Sequence, residues 1–270
     1  MSIHPTAIIA PGAKIHPTVE VGPYTVIGPN VEIGEKTVVG PNCHIEGYTT
    51  IGSENQISPF VSIGCPPQDR KFGGETSYVK IGNGNHFREF VTVHMAEGAG
   101  NETVIGDKNL FMAYVHVAHN CRVGSNVTLA NCVTLAGHVH VGDKATLGGF
   151  TGIHQFCKIG GFVMIGGMSK IVKDVPPFIK IDGNPARVIG LNSVGLRRNG
   201  VPRESLDAIR AVFKMFFRSQ LNVTQAKEKL AAMPEANDPY IRQFIEFLGT
   251  SNRGIYKRTR ETPSEREASE

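Results

Sequence analysis

The sequence of 270 residues predicts a mainly β protein, a parallel β-helix of hexapeptide repeats followed by a small α-helical domain. Three observations carry this expectation. An apolar residue recurs at every sixth position, glycine is abundant (31) while tryptophan is absent, and the spacing turns helical after residue 187. Stepping by six from Ile3 gives Ile9, Ile15, Val21, Ile27, Ile33, Val39, Ile45, Ile51, Ile57 and Ile63 without a miss. The same phase returns at Ile81, Phe87 and Val93, then runs from Ile105 to Ile171. Repeats of this period mark stacked triangular coils, each of three short strands and three turns. At about 4.8 Å per coil, ten coils make a prism on the order of 48 Å long. Glycine often follows the apolar residue, as in VIGPNVEIGEKTVVGPN, where it is expected to serve a tight bend.

The beat fails near 65–78 (CPPQDRKFGGETSY) and 95–103 (MAEGAGNET), both polar and rich in glycine. Because the phase survives both gaps, these are loops extruded from a prism spanning 1–187, and such loops on rigid scaffolds commonly carry function. Beyond it, 188–256 is expected to be helical. Residues 202–219 set Ile209, Val212, Phe213 and Phe216 on one helical face, 224–233 reads as a second helix, and NDPYIRQFIEFLG as a third capped by Asn237. The tail 257–270 is charged and poor in apolar residues, which predicts disorder.

A formal charge of +4 gives no reason to expect nucleic acid, and no apolar run is long enough to span a bilayer. The first residues lack the basic start and apolar core of a signal peptide. Five cysteines (43, 65, 121, 132 and 157) with no C-x-x-C pair fit a reducing, cytoplasmic setting.

Four of the ten histidines fall within VHVAHNCRVGSNVTLANCVTLAGHVHVG, residues 115–142. In an 18-residue coil, Gln155 stacks two coils above His119, His138 lies one position past the intervening coil's equivalent, and His154 one position short of Gln155. His119, His138, His154 and Gln155 are therefore expected on one strip, with His116 on the same coil as His119. Three readings stand: a general base with polar helpers, a metal site of His116, His119 and His138, or solvated histidines on a prism face. His140 falls on another wall, and His4, His16, His44, His86 and His94 are scattered. No nucleophilic triad accompanies Ser125, Ser169 or the cysteines, and no P-loop or dinucleotide fingerprint is present.

The motifs PPQDRKF, VHVAHNC, NCVTLAGHV, GIHQFCKIGG, DVPPF and LNSVGLRRNG resemble those of the UDP-N-acetylglucosamine O-acyltransferases, over nearly the whole chain. The resemblance implies a left-handed β-helix, a homotrimer with active sites between subunits, and the first step of lipid A synthesis. In that step an (R)-3-hydroxyacyl group passes from acyl carrier protein to the 3-hydroxyl of UDP-N-acetylglucosamine, with no metal or other cofactor. It implies His119 as general base, with His116, His138, His154 and Gln155 lining the cleft. Asp69 and Lys71 would meet the sugar, Asn192 and Arg198 the nucleotide, and Gly167 or Met168 the floor of the acyl groove. The Gly137 N–H, eighteen residues after His119, is the candidate oxyanion donor. Asn120 stands where many members carry Asp, Val194 where an acidic residue is usual, and Asn199 where a second basic one is usual. Lys170, Lys173, Lys180, Arg187, Arg197 and Arg198 form a basic cluster suited to an acidic carrier protein.

Overall fold

The computed structural model describes residues 2–219 and 221–257; the tail expected to be disordered lies, beyond Lys257, outside the described residues. Three sheets of eleven, nine and eight strands form the walls of a left-handed triangular prism. The first wall starts at Ser2–Ile3, the second at Ile8–Ile9 and the third at Lys14–Ile15. From Ser2 to Asp182 the strands pair in parallel with their counterparts one coil on, as Ser2 with Glu20 and Ile8 with Val26. Two-residue strands suffice because the partners above and below satisfy their backbone groups.

The six-step residues form the core. Ile27, Ile45, Ile63, Val117 and Leu135 are fully buried, whereas Ile3, Ile9 and Ile15 are only partly so because no coil covers the first one. The corners overturn the expectation for glycine. The left-handed residue of each corner precedes the apolar residue by three and is mostly not glycine, as at Asn120 (φ 59°), His138 (φ 61°) and Phe156 (φ 66°). The glycine after the apolar residue serves close stacking instead: a Cβ at Gly34 would lie 2.7 Å from the Gly52 carbonyl carbon. Buried Asn55, Asn85 and Asn109 cap corner amides in a ladder. Asn85 N–H donates to Asn55 Oδ1 (2.9 Å), Asn109 N–H to Asn85 Oδ1 (3.0 Å) and Val127 N–H to Asn109 Oδ1 (2.7 Å).

The expected boundary at 187/188 moves to residue 191, since Arg187–Leu191 continues the first wall by pairing antiparallel with Ile179–Asp182. Four helices follow: α1 Ser193–Arg198, α2 Arg203–Arg218, α3 Val223–Ala231 and α4 Pro239–Thr250. Helix α2 buries Leu206, Ile209, Val212, Phe213 and Phe216, and Asn222 caps α3 through a capping box with Gln225. The cap of α4 is Asp238, not Asn237. Asp238 Oδ1 accepts the Tyr240 and Ile241 N–H groups, Pro239 takes the first helical position, and Asn237 ends a 3-10 turn, Pro234–Asn237. After α4 the chain returns to the prism, where buried Asp174 accepts the Ser251 hydroxyl (2.6 Å) and the Asn252 and Arg253 amides. Among the described residues no helix is long and apolar enough to cross a membrane.

Candidate active site

The two extruded loops leave the corner between the second and third walls, after the strands Ser62–Cys65 and Thr92–His94. They are tied together. Glu75 accepts the Gly98 amide (2.8 Å) and the Gly73 amide (2.9 Å), and the Gly100 amide donates to the Thr76 carbonyl (2.9 Å). Backbone N–H groups, that of Gly98 foremost, hold the Glu75 carboxyl below its usual range. One loop delivers Asp69, whose Oδ1 accepts the Lys71 amide at 2.9 Å; the other delivers Glu97.

His119 sits on this corner. Its Nε2 is 3.8 Å from Asp69 Oδ2, and its Nδ1 is 2.9 Å from Asn120 Oδ1. The Asn120 amide is fixed by Glu97, whose N–H donates to Oδ1 (2.9 Å) and whose carbonyl accepts from Nδ2 (3.0 Å). That assignment leaves Oδ1 facing His119, so Nδ1 carries the imidazole proton and Nε2 presents its lone pair towards Asp69. One coil on, Gly137 lies against the ring: a Cβ there would fall 2.5 Å from His119 Nε2. Among the described residues the Gly137 N–H donates to no protein acceptor.

The strip predicted by counting eighteens resolves into columns. Asn120, His138 and Phe156 share the left-handed corner position, and the His138 N–H donates to the His119 carbonyl (3.0 Å). The His138 ring meets His119 edge-on at 5.2 Å and stacks on Phe156 at 4.6 Å. Gln155, beside it, is exposed. His154 is also exposed, but its Nδ1 accepts from the Arg253 guanidinium at 3.2 Å, so its contact runs to the returning chain rather than to the imidazole pair. His116 lies on the second wall, with Nδ1 2.7 Å from Thr92 Oγ1. Asn192 caps α1 by accepting the Gly195 amide and donates to the Phe162 carbonyl at 2.8 Å, while Lys71 and Arg198 are exposed. Gly167 and Met168 lie far along another corner, Met168 being 75% exposed. No contact among the described residues joins Asn192, Arg198, Gly167 or Met168 to His119.

Three neighbours escaped the count. Glu97 offers a carboxylate oxygen within 4.8 Å of ligand atoms of His119 and His138, so Glu97, not His116, completes a candidate metal trio. His94 is buried, meets His116 edge-on at 5.0 Å, and leaves Nδ1 without a partner among the described residues. Phe156 supplies the platform under His138. Burial first, then the charges of His94 and His119, hold His116 down to about 4. Burial and His119 lower His138, against the opposing pull of Glu97 and Asp69, and burial likewise lowers His94. His94, His116 and His138 are thus held towards the neutral imidazole.

Two family profiles match the chain: "Udp N-acetylglucosamine O-acyltransferase; Domain 2" over residues 174–256, and "Bacterial transferase hexapeptide (six repeats)" over 1–35 and 102–137. The acyl-[acyl-carrier-protein]--UDP-N-acetylglucosamine O-acyltransferase of Burkholderia orbicola is 44% identical over 260 residues, covering 94% of this chain and 99% of the relative. This chain belongs to the UDP-N-acetylglucosamine O-acyltransferase family. The relative from Synechocystis sp. is 48% identical over 188 residues, 70% of this chain and 67% of its own. Among solved structures, the acyltransferase of Moraxella catarrhalis is 41% identical with a TM-score of 0.91, covering 95% of this chain and 100% of its own. The one from Acinetobacter baumannii is 42% identical with a TM-score of 0.90, covering 94% and 99%. Membership in this acyltransferase family therefore spans both the prism and the helices, and the corner bearing His119 lies within the shared length.

Proposed function

We propose that the protein transfers an (R)-3-hydroxyacyl group from acyl carrier protein to the 3-hydroxyl of UDP-N-acetylglucosamine, the first step of lipid A synthesis, with His119 as general base. The observation that carries the base assignment is the chain of contacts from Glu97 through Asn120 to His119 Nδ1, which leaves Nε2 free to accept a proton. The sugar 3-hydroxyl loses its proton to Nε2 as its oxygen attacks the thioester carbonyl. The Gly137 N–H receives the oxyanion, and the imidazolium returns the proton to the departing thiolate. Asp69, 3.8 Å from Nε2, steadies the imidazolium and, with Lys71, meets the sugar. His116, His138, His154 and Gln155 bind substrate along the cleft, Asn192 and Arg198 meet the nucleotide, and Gly167 and Met168 border the acyl groove. This chemistry requires no metal or redox cofactor.

The working unit in this reading is a homotrimer. The corner between the first and second walls carries Tyr24, Phe60, Phe90, Tyr114, Phe150 and Met168, each between 42% and 75% exposed, with Phe60–Phe90 and Phe90–Tyr114 stacked at 5.1 and 4.8 Å. An apolar ridge of this length calls for a partner surface. His119 and its loops make one side of a cleft, for which a second subunit supplies the other. Sedimentation of the active enzyme as a monomer would remove this part of the proposal.

The deciding assay offers the purified protein UDP-N-acetylglucosamine with 3-hydroxyacyl carrier proteins of graded chain length. Acyl transfer at one preferred length is expected, and no transfer from any of them overturns the reading. A metalloenzyme built on Glu97, His119 and His138 predicts instead a rate abolished by chelation and restored by zinc.

A further inference from the structure

We propose that His44, Glu46 and Cys65 form a binding site for a divalent transition metal such as zinc, on the outer face of the second wall and apart from the His119 corner. His44 opens the strand His44–Ile45, and its Nε2 is 3.4 Å from Glu46 Oε2. Cys65 ends the next strand of the same wall, Ser62–Cys65, in which Ser62 pairs with His44. Strict alternation after outward Ser62 and inward Ile63 would turn residue 65 into the core. A register shift between Ile63 and Cys65 prevents this. Gly64 takes up the extra residue at φ 82°, with so little room that a Cβ would fall 2.0 Å from the Glu46 carbonyl oxygen. Cys65 then faces outward beside Glu46. The imidazole nitrogen, carboxylate oxygen and thiol sulfur all lie within 4.8 Å of one another.

This is a donor set of zinc type, one N, one O and one S. Bond lengths of about 2.0–2.3 Å in a tetrahedron put ligand atoms roughly 3.3–3.8 Å apart, so the cluster needs to contract by about 1.5 Å at most. Half-exposed side chains can do that by rotation, and the fourth position stays open to water. Cys65 Sγ also lies 3.0 Å from the Ser62 hydroxyl, which fixes the sulfur on the outer face. Metal binding replaces the thiol proton, which leaves to solvent, and the cation neutralises the Glu46 charge. Cys65 begins the loop that carries Asp69, so the metal would clamp the base of that loop.

The chain also holds the Glu97, His119 and His138 trio, which has no sulfur, and this separates the two clusters experimentally. The full-length protein, stripped of metal and reduced, is titrated with Co²⁺ and with Zn²⁺. One Co²⁺ per chain is expected to give a thiolate-to-cobalt charge-transfer band in the near ultraviolet. Zn²⁺ should displace that cobalt, and its own binding should release about one proton. Cys65→Ser removes the band, His44→Gln weakens binding at least about tenfold, and Glu97→Gln leaves the band intact. Thermal unfolding of each variant checks that the prism is retained. Absence of the band in the parent protein, or its persistence in folded Cys65→Ser, overturns the proposal.

Discussion

Asn120 Oδ1 lies 2.9 Å from His119 Nδ1 while the same amide group pairs with both backbone polar groups of Glu97. Only a side chain with one acceptor and one donor meets that pattern. A carboxylate at 120 would set an oxygen against the Glu97 carbonyl, so the amide gives up the charge of an Asp in exchange for a fixed orientation. Asn also tolerates the left-handed backbone, φ 59°, of this corner.

Asn120→Ala should lower kcat by roughly 10²-fold, the scale on which misplacement of a reacting group is felt. Asn120→Asp, which keeps the acceptor but loses the donor to Glu97, should fall between Ala and the parent. Steady-state kinetics at saturating substrates measure the order. An Asp variant as fast as the parent would show that the Glu97 contact does not matter.

His119→Ala should lower kcat by about 10²–10⁴-fold with the fold retained. His138→Ala should act less strongly, because His138 touches His119 through ring edges at 5.2 Å and holds no proton of the reaction. Circular dichroism and thermal unfolding establish that both variants are folded. A folded His119→Ala enzyme of near-normal rate would remove the base.

The prism was legible because each inward side chain must repeat whenever the backbone turns a corner, and beyond the uncovered first coil those residues are buried. The same arithmetic placed Gly137 against His119, since these coils have 18 residues. It failed where loops lengthen the coil. Thr92 pairs with His116 across 24 residues and Asn85 with Asn55 across 30. His94 therefore reads as scattered although its ring meets that of His116, and Glu97 lies in a loop expected to carry function but with no pattern that singles it out. Helix α1, six residues long, carries no apolar period to read. The Arg253 contact to His154 spans 99 residues and obeys no local pattern.

Gly137→Ala tests the tight approach beside the base. The backbone torsion at Gly137 lies outside the left-handed region, so only space is at issue, and the added Cβ would fall 2.5 Å from the His119 ring. Overpacking of this kind costs about 1–3 kcal/mol, yet the nearest atoms belong to a side chain that can swing away. The expected result is a small fall in Tm with a loss of kcat of about 10-fold or more, through the displaced ring. Unchanged kcat would mean that the ring position seen here is not the working one.

Reversing the exposed charges Lys170, Lys173, Lys180 and Arg197 to Glu should raise KM for the acyl carrier protein and flatten its dependence on salt, with little change in kcat. These residues lie at the end of the prism and the start of the helices. An unchanged donor KM across ionic strengths would count against carrier docking at this surface.

Acid should destabilise the protein through its outer-wall histidines. His116 is held down to about 4, chiefly by burial, whereas in the unfolded chain a histidine titrates near 6.5. Between these values the unfolded state binds a proton that the folded state refuses, so stability is complete above about pH 6.5 and declines as pH falls towards 4. His94, His138 and His140 are displaced in the same direction and steepen the decline. Replacing His116 by Gln keeps a polar group opposite Thr92 but removes the titration. Its Tm should fall less between pH 6.5 and 4 than that of the parent, measured at matched ionic strength. Parallel curves for the two proteins would show that His116 is protonated in the folded state as readily as in the unfolded one.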